Sequence, residues 1–403
     1  MRPGLAGLLA ASAAYSRACG AAPAQHELLR YDVDLEALPD LFGSPGLAGA
    51  TAAAWLDTLR RAHPAAAEEL AALSAALLRA SPSEPLFELP ALAVGMSLYP
   101  LLNIAAKNTT DARPSACTSA LARMGGGRVL HGRSLDYEPR DPLALGSVVL
   151  DFRLRGEVAY RCLHPLPYGT ALQWFTCVRP GAFSLSVNAR SQGSWTEHNT
   201  SFPELLRRLE GSLLLGEVAE VAMATESYAA ALAVLASAPA VSSNYFILAG
   251  AGGEGAVVTR FGNTSSADVW ALGSSPAVSN GQPPWMRVQT NVDHWVSFTT
   301  GDYATHRRQR AIDELSAIGA EALDRDAFMR VYLTDSARPG SENRTRPEDT
   351  GVLLGLWAVA TVILDPAAPF EAKPDPRYWR VWAESPTIGP PPAPSADASV
   401  ALV

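Results

Sequence analysis

Cysteine, charge and metal-binding motifs are all scarce in this chain of 403 residues. Its four cysteines, at positions 19, 117, 162 and 177, are too few to build a disulfide scaffold. Neither a CxxC nor an HExxH sequence occurs and the seven histidines are scattered, so we expect no bound metal and no cofactor. With a net charge of −8 and no basic patch, the chain is not expected to bind nucleic acid.

Long apolar runs are also missing. The longest late run, "GVLLGLWAVATVIL" at 351–364, is too short to span a bilayer and is typical of a buried strand. Residues 1–20 have the composition of a secretory signal peptide, although an alanine-rich extension would look similar. Residues 384–403 are rich in Pro, Ala and Ser, which is typical of a disordered tail.

Asparagines are few, yet four of the nine lie in N-x-[ST] glycosylation sequons. Together with the signal-like start, this indicates a glycoprotein that is secreted or lysosomal. The four acceptors are Asn108, Asn199, Asn263 and Asn343.

The periodicity of the chain changes near its first quarter. Residues 21–116 have mostly helical periodicity, with Pro64 separating two helices. Short strands then follow one another, two helices are predicted over 202–215 and 218–236, and strands return afterwards. This succession predicts an α+β sandwich of packed layers.

The segment "SACTSALARMGGGRVLHGRSLDYEP", residues 115–139, carries the chemistry. Cys117 begins one strand of a predicted hairpin, and the other strand brings back Arg133 and Asp136. A thiol nucleophile needs a proton acceptor, a positive environment and donors for an oxyanion. The segment lacks a papain-type signature. The α-amine of an N-terminal cysteine, with a pKa of about 7.7–8.0, is a suitable base. This solution requires the chain to be cut before Cys117.

The segment resembles the start of the β subunit in the acid ceramidase and N-acylethanolamine acid amidase family of lysosomal N-terminal nucleophile hydrolases. The similarity resumes at "RPGAFSLSVNAR", "SSNYFILAGAGGEGAVVTR", "VQTNVDHW" and "HRRQRAI", in the family's order. It covers most of residues 117–365. The first motif is matched at Cys117, Thr118, Ser119, His131, Gly132, Arg133, Asp136 and Tyr137.

This resemblance implies a fold and a division of the chain. The fold is the αββα four-layer sandwich, and the chain cuts itself between Ala116 and Cys117. Residues 21–116 then form a helical α subunit that stays associated with a catalytic β subunit at 117–383.

The resemblance also implies roles for individual residues. Cys117 attacks the amide carbonyl of the substrate, Arg133 lowers the pKa of its thiol, and Asp136 holds the freed α-amine. Asn291 donates to the oxyanion, and Arg307 matches a further active-site arginine, with Arg308 adjacent.

One position departs from the family. Where the family usually carries a Glu, in the segment "SVNAR", this chain has Asn188 followed by Ala189. Distant relatives, the bacterial bile-salt and penicillin V acylases, have an Asn in this neighbourhood. Asn188 is therefore a candidate for part of the missing role and for substrate binding.

Several alternatives stay open. The resemblance implies a lipid amide as substrate, with N-acylethanolamines as first choice and ceramides as second. Bulkier acylase-type amides, or a non-catalytic lipid-binding role, are the further alternatives.

Trp174 either lines an acyl-chain groove or belongs to the core. Cys162 and Cys177 either form a disulfide or remain buried thiols. The helices before Cys117 either contact membranes or lipid carriers, or simply pack together.

Overall fold

The structure of the chain, a computed structural model, describes most of the sequence between residues 45 and 381. The predicted signal peptide, the predicted tail, Trp174 and all four sequons lie outside the described residues. The described residues form two compact units, one containing 45–93 and 202–214 and the other beginning at 116. The described ranges are 45–80, 88–93, 116–136, 147–165, 176–190, 202–261, 267–274, 281–298, 303–333, 358–369, 374–375 and 377–381.

The first unit is built from helices whose apolar faces meet. Pro64 begins the second of them, as its fixed φ and missing N–H allow at a first helical position. Buried Trp55, Leu59 and Leu70 come from the first two helices. The described ranges contain no helix long and apolar enough to cross a membrane. The helices are α1 (Pro45–Ala62), α2 (Pro64–Ala80), α3 (Leu89–Ala93) and α4 (Phe202–Gly211).

The second unit contains two antiparallel sheets, one of five strands and one of seven. The five-stranded sheet has the order β10-β1-β2-β11-β12, and the seven-stranded sheet runs in sequence order from β3 to β9. Their bounds are β1 (Ala116–Arg123), β2 (Val129–Asp136), β3 (Ser147–Leu154), β4 (Glu157–Pro165), β5 (Thr176–Arg179), β6 (Phe183–Ala189), β7 (Asn244–Gly250), β8 (Gly255–Arg260), β9 (Ala267–Ala271), β10 (Met286–Gln289), β11 (Ala358–Leu364) and β12 (Trp379–Val381).

The two sheets pack face to face, with β1 and β2 against β6 and β7. Helices cover both outer faces. The layer on the seven-stranded sheet is α5 (Leu215–Ala224) and α6 (Tyr228–Ser237), of which α6 contacts β7, β8 and β9. The layer on the five-stranded sheet is α7 (Tyr303–Ile318) and α8 (Arg325–Leu333). The predicted αββα order of layers is therefore confirmed.

The helix predicted over 218–236 is wrong in one respect, because the chain forms two helices there. The hydroxyl of Thr225 donates to Ala222 O, 2.7 Å away, as α5 ends. Ser227 then adopts an extended conformation and its hydroxyl accepts a hydrogen bond from Ala230 N at 3.2 Å. This is an N-cap, which begins α6.

Cys162 and Cys177 form a disulfide. They lie opposite each other on the neighbouring strands β4 and β5. Of the two alternatives for these cysteines, the structure therefore has the bonded one. Cys117 is a free, buried thiol.

Gly132 in β2 lets α8 approach the sheet closely. A Cβ atom at this position would lie 2.5 Å from Cε2 of the buried Tyr332. We expect Gly132→Ala to lower the free energy of unfolding by about 1–3 kcal/mol, because overpacking of a filled site strains it. Urea unfolding measures this change.

Gly126→Ala is the matched control, since no atom lies within 4 Å of a Cβ built there. The cost of Gly132→Ala should also fall when Tyr332→Leu is present in the same chain. Equal costs for the two glycine substitutions would contradict this account of the packing.

Candidate active site

The β1–β2 hairpin brings residues far apart in sequence to one end of the sandwich. Gly127, with φ of 84°, lies in the turn between the strands. In the resulting antiparallel register Ala116 pairs with Asp136, and Cys117 pairs with Leu135. The first residues of β1 therefore lie beside the last residues of β2.

One face of this hairpin presents the thiol and a cation to the seven-stranded sheet. Arg133 Nη2 lies 3.6 Å from Cys117 Sγ and donates to Val187 O at 2.7 Å. Nη1 donates to the hydroxyl of Thr176. Both Cys117 and Arg133 are buried, so the guanidinium is fixed between the two sheets by groups from each of them.

Burial governs the protonation of this thiol. It raises the pKa of Cys117, and the nearby Arg133 and Arg307 oppose the rise without overcoming it. The predicted lowering of the thiol pKa by Arg133 is thus present as a contribution, but burial outweighs it in the uncut chain. The thiol is protonated in this state, and a protonated thiol needs a proton acceptor before it can act as a nucleophile.

Asp136 lies on the opposite face of β2 from Arg133, since alternate residues of a strand face opposite sides. Ser134 Oγ donates to Asp136 Oδ1 at 3.0 Å, and Oδ2 has no hydrogen-bond partner among the described residues. Burial raises the pKa of Asp136 to about 6, although Arg307, Ser134 and Arg133 each oppose the rise.

Arg307 and Asn291 hold the backbone of Cys117. Arg307 Nη1 donates to Cys117 O at 2.8 Å and to Thr118 Oγ1 at 2.6 Å. Its Nη2 donates to Asn291 Oδ1 at 2.8 Å, and the same oxygen accepts the N–H of Cys117 at 3.0 Å. The neighbouring Arg308 donates instead to Asp293 O at 2.8 Å. Of the two arginines, Arg307 is the one that contacts Cys117.

The amide nitrogen of Asn291 is already engaged. Nδ2 donates to Ala189 O at 2.9 Å. In the uncut chain, Asn291 therefore contacts Cys117 through its oxygen, as an acceptor. Its role as an oxyanion donor stays a prediction.

Asn188 lies between the two sheets. Its Nδ2 donates to Gln289 O at 2.9 Å, and its Oδ1 accepts from Ser119 Oγ at 3.0 Å. Ser119 is two residues beyond Cys117 on the same face of β1. Asn188 is fully buried, and these contacts join the sheets. Its role in substrate binding stays a prediction, as does that of Trp174.

His131 takes no direct part in the contacts around Cys117. Its ring nitrogens lie 3.0 Å from Ser184 Oγ and 2.8 Å from Ser186 Oγ, both in β6. Burial lowers the pKa of His131 to about 3, so the ring is neutral at ordinary pH. These contacts fit a scaffolding role between the sheets.

Some partners of the site residues are not readable from the sequence. Thr118 is one of the matched motif residues, so its position gave a signal that its side chain is used. Ser134 falls at a position that the motif leaves open, and it gave no such signal. Thr176 and the carbonyl of Val187 gave none, because they come from strands that meet Arg133 only in the folded sandwich.

Comparison with known proteins identifies relatives of this chain, although no protein-family model matches it. An N-acylethanolamine-hydrolyzing acid amidase of Cavia porcellus is 32% identical over 217 residues, which are 53% of this chain and 56% of that protein. An acid ceramidase of Pan troglodytes is 29% identical over 200 residues, 44% of this chain and 46% of that protein. The chain is similar in sequence to these acid amidases and ceramidases. The resemblance seen in its motifs is thereby confirmed.

The similarity to these amidases and ceramidases extends over only part of their length. The chain matches about half the length of the two relatives. A solved structure of the Caenorhabditis elegans N-acylethanolamine-hydrolyzing acid amidase ortholog is similar with a TM-score of 0.47 and 26% identity, covering 63% of this chain and 94% of that one.

The raised pKa of Asp136 predicts a pH-dependent stability of the uncut chain. The pKa of about 6 in the folded chain lies above the ordinary value of 3.8. The contribution of this carboxyl group is therefore fully present below about pH 4 and is lost as pH rises through about 6. From the shift in pKa, the loss amounts to roughly 3 kcal/mol of unfolding free energy.

Urea unfolding of a Cys117→Ala chain at several pH values tests this. Adding Asp136→Asn should remove that part of the pH dependence, because the amide does not titrate. An unchanged dependence in the double variant would show that Asp136 does not titrate as described.

Proposed function

We propose that this protein is a cysteine amidase that activates itself by cleavage before Cys117 and hydrolyses amides of long-chain fatty acids. One observation carries the proposal. Cys117 is the second residue of β1 and has its thiol against Arg133, while Asn291 and Arg307 hold its N–H and C=O. The sequence similarity to acid amidases supports the same chemistry.

The self-cleavage step uses groups that already lie together. Cys117 Sγ attacks the carbonyl carbon of Ala116 and forms a thioester. The C–N bond breaks, and the thiol proton passes to the peptide nitrogen, which leaves as the α-amine of Cys117. Water then hydrolyses the thioester, which leaves a carboxylate on Ala116 and a free thiol on Cys117. Arg133 stabilises the thiolate during the attack.

After cleavage the new amine is the base that the thiol lacks. Asn291 Oδ1 already accepts from this nitrogen, and Asp136 pairs across the strands with the residue that precedes it. The amine takes the thiol proton, and Sγ attacks the amide carbonyl of the substrate. The amine then passes the proton to the leaving amine. Water releases the fatty acid from the thioester and regenerates the thiol.

N-acylethanolamines are the proposed substrates, with ceramides as the second candidate. The relative with the higher identity is named for hydrolysing N-acylethanolamines, and an acid ceramidase matches at lower identity. The signal-like start and the four sequons support a lysosomal or secreted glycoprotein, in which the helical region remains with the catalytic part as a separate subunit.

The substrate proposal is tested by a paired assay. Purified protein is incubated at about pH 5, and release of fatty acid from palmitoylethanolamide and from a short-chain ceramide is measured. We expect the ethanolamide to be hydrolysed faster, and Cys117→Ala to remain uncut and to release nothing. A cut wild-type protein without activity on either lipid would contradict the amidase proposal, and a faster ceramide reaction would favour the second candidate.

Arg307 offers a test of the site geometry. Arg307→Lys loses the planar guanidinium that holds Cys117 O, Thr118 and Asn291 together, so we expect kcat/KM to fall about 100-fold. Arg310→Lys on the same helix is the matched control, because Arg310 is partly exposed and pairs with Glu314 away from Cys117. Similar losses in both variants would contradict the role of Arg307.

A further inference from the structure

Three consecutive residues, at the end of β6 and just after it, form hydrogen bonds with the last residue of β10 and with two residues of the segment that follows β10. Asn188 donates to Gln289 O and Ala189 O accepts from Asn291 Nδ2. Arg190 donates to Asp293 through Nε at 2.7 Å and Nη2 at 2.8 Å. These bonds join the seven-stranded sheet to the segment that carries Asn291.

The Arg190–Asp293 pair is the strongest of these contacts. Both side chains are 2% exposed, and the pairing is bidentate. Tyr245 OH donates to Asp293 Oδ1 at 2.7 Å, and the Arg190 guanidinium lies 4.4 Å from the centre of the Phe261 ring. A buried pair with this many partners has one arrangement available to it, so it fixes the backbone at residue 293.

Asp293 is also connected to the helix that carries Arg307. Its carbonyl accepts from Arg308 Nη1 at 2.8 Å, and Arg308 Nη2 donates to Val296 O. Asn291 is two residues before Asp293, and Arg307 is next to Arg308. The two residues that hold the backbone of Cys117 are thus each attached, through Asp293, to β6 and β7.

We propose that Arg190, Asp293 and Tyr245 form a positioning unit that sets Asn291 and Arg307 against Cys117. The inference rests on the proposed function, and none of the three side chains is assigned a contact with substrate. The unit also includes the neighbour of Ala189. The backbone carbonyl of Ala189 accepts a hydrogen bond from Asn291, and the next residue, Arg190, forms the charged pair that fixes this segment.

Two substitutions weaken the unit while keeping its charge balance. Arg190→Lys keeps the positive charge but loses the bidentate geometry. Tyr245→Phe removes one hydrogen bond to the carboxylate. The matched control is Arg260→Lys, since Arg260 is equally buried but donates to Leu235 O and Ala238 O at the outer helix layer.

The measurements are the rate of self-cleavage, kcat and KM for palmitoylethanolamide, and the urea midpoint. We expect Arg190→Lys to slow self-cleavage and to lower kcat about 100-fold, because misplacement of reacting groups costs this much, with KM nearly unchanged. Tyr245→Phe should lower kcat about tenfold, in line with the low end of the effect of losing one hydrogen bond to a charged group. Arg260→Lys should lower the urea midpoint and leave kcat unchanged.

The outcomes separate this inference from the proposed function. An active wild type whose kcat is insensitive to Tyr245→Phe, and no more sensitive to Arg190→Lys than to Arg260→Lys, overturns the positioning unit alone. A rise in KM at constant kcat also overturns it, since that would indicate substrate contact. If Arg190→Lys does not fold, Tyr245→Phe decides the question. A wild-type chain that neither cuts itself nor hydrolyses amides overturns both proposals.

Discussion

The charge balance in the buried space around Cys117 is the constraint on which the rest of the site depends. Arg133 and Arg307 bring two positive charges to this cysteine, whereas Asp136 supplies at most one negative charge. Ionisation of the thiol would restore neutrality, but burial raises its pKa while the chain is intact. The proposed cleavage before Cys117 would supply the missing acceptor, an amine at the position where the structure already holds the backbone nitrogen. Under this proposal, the charges around Cys117 suit a chemical species that would form only after the cut.

Much of this arrangement could be predicted from the sequence because it lies within one hairpin. The Gly-rich turn between two strands fixes the register, and the register places Arg133 and Asp136 near Cys117. The family motifs pointed to Asn291 and Arg307. The order of strands and helices led to a layered α+β sandwich, and the family resemblance implied its αββα order. In each of these cases the signal was either local in the chain or carried by a motif.

Contacts between distant strands could not be predicted, because side-chain pairing across layers leaves no periodic signal in the sequence. Arg190 and Asp293 lie within recognised motifs, yet nothing in either motif indicated that they bind each other. The contacts of Asn188 with Ser119 and Gln289 O, which join the two sheets, gave no signal either, and its role in substrate binding stays a prediction. The Cys162–Cys177 bond was an open choice until β4 and β5 were seen to be neighbours.

The most direct test of the central claim is whether the purified chain cuts itself before Cys117. Purified protein is incubated at about pH 5 at several protein concentrations, and the products are followed by intact mass and N-terminal sequencing. The account predicts a new chain that begins at Cys117 and appears with a first-order rate constant independent of protein concentration. An uncut chain, a cut elsewhere, or a rate constant that rises with concentration would contradict it.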